Sequence, residues 1–189
     1  MPNDDKFLIK PDPTNKRLTE KVGGVDQDGR SVRTSVTVER PLTLFLNSQE
    51  IVTMMSICDY PEYLAVGYLV NQNMLQDNDE IVKIEYEEDI QTVIVRTNSE
   101  TNFEDKLKKK TLTSGCAQGT VFGDLMEKFD EINLSPKIKL KTSHLYNVLK
   151  NINTAPSLYL EAGAIHGCVL FSGSDPILFM EDVGRHNAV

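Results

Sequence analysis

No run of apolar residues in this chain approaches the ~18 needed to cross a bilayer, so a helical membrane span is not expected. The N-terminus, Met1-Pro2-Asn3-Asp4-Asp5, opens acidic and lacks the basic-then-apolar order of a secretory signal. Cysteine is scarce. The three present, Cys58, Cys116 and Cys168, lie far apart, and no Cys-x-x-Cys occurs. An odd, scattered set argues against a disulfide framework and for a reducing cytoplasm. Positive charge is in deficit, with 20 Lys and Arg against 28 Asp and Glu and a formal net charge of −8. That balance disfavours nucleic acid and anionic membranes as partners, since both reward a positive surface. A local basic pocket stays compatible with it. Internal repeats, low-complexity tracts and a clear interdomain linker are also missing.

What remains is an ordinary globular composition: 189 residues, 40% apolar and 25% charged, enough for one domain with a sizeable core. Residues 1–30, with their prolines, glycines and charges, read as a tail or leading loop. Val32, Thr34, Val36 and Val38 then alternate, as do Leu42, Leu44 and Leu46 after Arg40-Pro41, and both segments read as half-buried strands. Asn47-Ser48 is a turn into a third strand over 49–55. Asp59 offers an N-cap, Pro61 and Glu62 suit a first turn, and a helix is expected over 60–73 with Gly67 allowing close packing. Residues 81–86 and 90–96 read as two more strands. Helices are expected over 120–130 and 144–151, and a strand pair over 165–171 and 177–180. The terminal segment 181–189 reads as a strand exit running into the first turn of a helix, which suggests that the sequence is a fragment.

Cys116 has the best setting for chemistry. It lies in Thr113-Ser114-Gly115-Cys116-Ala117-Gln118-Gly119, downstream of Lys106, Lys108, Lys109 and Lys110 and ahead of an expected helix. Backbone N–H groups, a helix N-terminus and lysines all lower a thiol pKa, and a thiolate can accept sulfane sulfur as a persulfide. A small buried hydrophobe is the competing reading, and for Cys58 and Cys168, in more apolar surroundings, it is the better one. Zinc is not expected. Zinc deaminases pair His-x-Glu with Pro-Cys-x-x-Cys, whereas this chain offers His166-Gly167-Cys168 and too few ligands for a metal site. In Glu181-Asp182-Val183-Gly184-Arg185-His186-Asn187, acid, base and amide groups surround a glycine at a strand-to-helix junction. Such a junction can hold an anion, with Arg185 offering its fork to phosphate, although a capped helix start is the commoner meaning.

Four blocks in order, Arg40-Pro41-Leu42-Thr43, Pro61-Glu62-Tyr63-Leu64-Ala65-Val66-Gly67-Tyr68-Leu69, Thr113-Ser114-Gly115-Cys116 and the segment 181–189, resemble the formate dehydrogenase accessory sulfurtransferase family. The resemblance implies an α/β fold, a cytidine-deaminase-like mixed-sheet core without catalytic zinc, carrying an N-terminal β-rich subdomain. The expected division is a tail over 1–30, the β-rich subdomain with one helix over 31–110, and the core over 111–189, truncated at its C-terminus. The implied activity is that of a sulfur carrier. A cysteine desulfurase loads sulfur on Cys116 as a persulfide, and the sulfur passes to the molybdenum (or tungsten) bis guanine-dinucleotide cofactor of formate dehydrogenase. Asp182, Arg185, His186 and Asn187 are the residues expected to hold that cofactor, with Asp182 accepting from a guanine edge or ribose. Partners are then the desulfurase, formate dehydrogenase and the cofactor, with a homodimer compatible. The chain departs from the family pattern at Gly119, where many members carry a second cysteine. That departure keeps a second reading open, a cofactor-binding chaperone with no thiol chemistry.

Overall fold

The computed structural model describes residues 7–75, 78–98, 110–113, 119–122 and 139–189, with the backbone alone described at 110–113 and 119–122. In chain order the elements are strands β1 (Thr19–Val25), β2 (Ser31–Thr37), β3 (Arg40–Leu46) and β4 (Gln49–Ser56), helix α1 (Pro61–Asn71), and strands β5 (Ile81–Glu87), β6 (Thr92–Thr97), β7 (Lys110–Thr113) and β8 (Gly119–Phe122). Helices α2 (Thr142–Thr154) and α3 (Leu158–Ala162) and strands β9 (His166–Ser172) and β10 (Asp175–Asp182) complete the set. The fold is mixed α/β with strands dominant. Among the described residues no helix is long and apolar enough to cross a membrane.

The chain forms two compact units, one of residues 1–39 with 137–189 and one of residues 40–136. The division expected from sequence, with cuts near 30 and 110, takes the chain in contiguous pieces, whereas the first unit is built from both ends.

The second unit is organised by a four-stranded mixed sheet in the order β4-β3-β6-β5. β3 pairs antiparallel with β4 and parallel with β6, and β5 is antiparallel to β6. The alternation of Leu42, Leu44 and Leu46 sends all three to one face, where they are at most 1% exposed. Val93 and Val95 of β6 and Ala65 and Leu69 of α1 close the same core. α1 opens with Pro61 in its first turn, as expected, but its N-cap is Tyr60 in the left-handed region (φ 51°), not Asp59, and no side chain caps it. The close packing expected at Gly67 does not occur, since a Cβ there would meet no heavy atom within 4 Å. β7 and β8 pair antiparallel, with Thr113 opposite Gly119. The helix expected over 120–130 is therefore a strand through Phe122. Thr120, Val121 and Phe122 are strand formers, and pairing with residues 110–113 decides the outcome.

The first unit holds the two hairpins β1–β2 and β9–β10. Residues 19–25, expected within a leading loop, form the strand β1, in register with β2 from Thr19↔Thr37 to Val25↔Ser31. Its Gly23-Gly24 pair and charges hide it from any search for apolar alternation. On β2 the buried side chain is Ser35, while Val32 is 40% exposed. β10 has a neighbour on each side. β9 lies antiparallel to it, and Ile9 forms a parallel bridge to Leu178, with the Leu8 N–H donating to the Ile177 carbonyl at 2.8 Å and the Phe179 N–H to that of Ile9 at 2.9 Å.

Candidate functional site

The site builds from the end of β10, where Glu181 and Asp182 are 5% and 3% exposed. Consecutive strand residues face opposite ways, and these two carboxylates do different work. Glu181 lies opposite Gly167 on β9. Its two oxygens accept from the backbone N–H groups of Leu158, at 2.6 Å, and Tyr159, at 3.1 Å. It thereby caps the start of α3 together with Ser157, whose Oγ accepts from the Leu160 N–H at 3.3 Å. Burial raises the Glu181 carboxyl above its ordinary range, against the opposing pull of those two N–H donors. Gly167 leaves the room this needs. A Cβ there would lie 2.9 Å from the ring of Phe179.

Asp182 lies opposite His166. Its Oδ1 accepts from the Gly184 N–H at 3.0 Å and from the Asn187 side-chain amide at 2.9 Å. A turn closes over it, with the N–H groups of Asn187 and Ala188 donating to the Gly184 carbonyl at 3.0 and 3.1 Å. This is the helix-like first turn expected from the sequence. Gly184 is required by contact, because a Cβ there would come within 3.1 Å of the Asn187 amide. Arg185 and His186 stand exposed on the turn, and His166 is exposed across the hairpin.

Of the expected site residues, the structure thus brings Asp182, Arg185, His186 and Asn187 into one turn. It gives Asp182 and Asn187 to each other, so they hold the turn, and leaves Arg185 and His186 facing solvent. Cys116 falls within residues 114–118, outside the described residues, as do Lys106, Lys108 and Lys109. What is described is the strand pair flanking it: the residue after segment 114–118 begins β8, so no helix N-terminus at 119–122 contributes to the thiol's setting. Cys58 and Cys168 are both half-buried, in keeping with packed rather than reactive thiols.

Sequence reasoning did not find Glu181 as the cap of α3, nor the cluster beside it. There Ser35, 3% exposed, donates to Glu161 Oε1 at 2.6 Å, and Lys21 Nζ reaches the Ser35 Oγ at 2.5 Å and the same Glu161 oxygen at 2.9 Å. These contacts join residues far apart in the chain, and no local pattern announces them.

The sequence model of the FdhD/NarQ family matches residues 37–189. A sulfur carrier protein FdhD from Listeria monocytogenes is 26% identical over 163 residues, spanning 85% of this chain and 62% of that relative. One from Wolinella succinogenes is 26% identical over 195 residues, spanning 100% of this chain and 64% of the relative. The chain therefore spans less than two thirds of the length of these curated relatives. Among solved structures, a protein from Desulfotalea psychrophila assigned as a formate dehydrogenase accessory protein superposes with a TM-score of 0.61 at 20% identity, covering 90% of this chain and 65% of the other. That likeness is one of fold.

Proposed function

This chain belongs to the FdhD/NarQ family, and from that premise we propose that it is a sulfur carrier for the maturation of formate dehydrogenase. The observation that carries the reading is the family match across residues 37–189, which takes in both the Cys116 block and the terminal turn. Relatives over this span bear the name sulfur carrier protein. Cys116 would be the carrier. Its thiolate attacks the terminal sulfur of a persulfide on a cysteine desulfurase, the new S–S bond forms as the old one breaks, and the desulfurase cysteine leaves as thiolate. The sulfur then goes to the molybdenum (or tungsten) bis guanine-dinucleotide cofactor, which is cargo and substrate here. The turn 182–187 would hold the dinucleotide through Arg185 and His186, with Asp182 and Asn187 fixing the turn's shape. A deaminase-like core, a cytoplasmic setting and a homodimer are compatible with this reading.

Gly119 favours a second reading, a chaperone that binds the cofactor without thiol chemistry, because the family's second cysteine is missing there. Incubation with a desulfurase and cysteine, followed by intact-mass and peptide mass spectrometry, separates the two. The carrier reading expects one added sulfur on Cys116, lost in Cys116→Ser. A wild-type chain that gains none, with the desulfurase active on a control acceptor, leaves the chaperone.

A further inference from the structure

We propose that His166 is a phosphate-binding residue of the terminal turn, acting with Arg185 and His186 on the diphosphate of a guanine nucleotide. The inference rests on the reading of that turn as the nucleotide site and adds a residue from another strand.

The geometry comes from the hairpin register. Asp182 and His166 are cross-strand partners. Directly opposed residues of an antiparallel pair lie on the same face, with Cβ atoms about 4.5–5.5 Å apart. Asp182 is also the anchor of the turn, since its Oδ1 takes the Gly184 N–H and the Asn187 amide within 3.0 Å. The turn bearing Arg185 and His186 is therefore pinned to the side chain that His166 faces across the strands. Three groups able to donate to phosphate converge on one end of one hairpin, from positions 166, 185 and 186.

Exposure sorts these residues by role. Asp182 and Ala188 are 3% exposed, whereas His166, Arg185 and His186 are exposed. A buried aspartate held by two donors inside its own turn is a scaffold, not a recogniser of a guanine edge. The exposed set carries donors only in the case of Arg185, and a donor on either imidazole. That set matches the oxygens of a phosphate better than the mixed donors and acceptors of a base. A chain of net charge −8 also needs a local concentration of such groups to hold a polyanion at all.

Titration calorimetry on the 189-residue chain with GDP and with guanosine as probes tests the assignment. Replacing His166 removes one hydrogen bond to a charged oxygen, so His166→Ala should weaken GDP about fivefold to tenfold. His166→Gln, which keeps a donor, should recover part of that loss. Guanosine binding should be the same for wild type and His166→Ala. Melting temperatures equal to wild type establish that the exposed position has been changed without unfolding the hairpin. GDP weakened by Arg185→Ala but equal for His166→Ala and wild type overturns the role of His166 while leaving the turn as the nucleotide site. No GDP binding by wild type overturns both. An equal loss for guanosine and GDP in His166→Ala would place the residue against the base or sugar and overturn the phosphate assignment.

Discussion

Asp182 and Glu181 are neighbours in sequence, yet one closes a turn and the other caps a helix, because strand geometry sends them to opposite faces. The composition of the motif was legible: acid, glycine, arginine, histidine and amide at a strand exit announced an anion-binding turn or a capped helix start. The division of labour was not. Whether a carboxylate meets ligand or backbone depends on which N–H groups fold back on it, and those of Gly184 and Asn187 do so only once the turn exists. Gly184 tests this. An added Cβ would sit 3.1 Å from the Asn187 amide, so Gly184→Ala should push that amide off Asp182 and cost about 1 kcal/mol of stability. Its effect should be less than additive with Asn187→Ala in chemical denaturation, since both break the same contact. Strict additivity would mean that Asn187 does not hold the turn.

Elements with a period of their own were readable from the chain alone. The alternation of Leu42, Leu44 and Leu46 marks β3, Pro61 marks the start of α1, and the two apolar runs around Gly173 mark the β9–β10 hairpin. β1 was not readable, because Thr19–Val25 gains its place from backbone pairing with β2 and not from an apolar face. The parallel pairing of β3 with β6 was equally silent, as was the link from Glu181 to α3, 23 positions away at Leu158. That link has a measurable pH signature. Burial holds the Glu181 carboxyl above its ordinary value despite two N–H donors. A folded pKa above the unfolded one gives a contribution fully present below the unfolded value and lost as pH rises through the folded value. Stability from this group should thus decline across the window just above the usual glutamate range. Glu181→Gln, which keeps an acceptor and removes the charge, should flatten the profile there. Glu181→Ala, which strands two buried N–H groups, should cost about 2 kcal/mol at all pH values. Parallel stability–pH curves for wild type and Glu181→Gln would remove Glu181 as the titrating group.

The family match starts at residue 37, whereas the unit that carries the terminal turn starts well before it and draws on both ends of the chain. The N-terminal stretch supplies three separate supports to that unit. Residues 7–9 lie along β10 and bring the ring of Phe7 to 6.0 Å from that of Phe179. Leu18 is 2% exposed, and its carbonyl accepts from the Val38 N–H at 2.9 Å. Ser35 and Lys21 bind Glu161 on α3, whose other end is capped by Glu181 of the β10 exit. Family boundaries drawn from sequence follow shared pattern, and a strand such as β1 that pairs through its backbone leaves little pattern to share. The consequence is a prediction for a chain trimmed to 37–189. Losing the edge along β10 and the anchor of α3 should lower amide protection across β9 and β10 by at least about tenfold, because opening there no longer has to break those supports. Protection in β3, β4 and β6, whose core of Leu42, Leu44, Leu46, Val93 and Val95 lies wholly within residues 40–136, should stay near its value in the longer chain. Hydrogen exchange read by mass spectrometry resolves both regions in one experiment. Unchanged protection in β9 and β10 would mean that residues 1–36 lie against this unit without stabilising it, and the site would then stand on the family-matched residues alone.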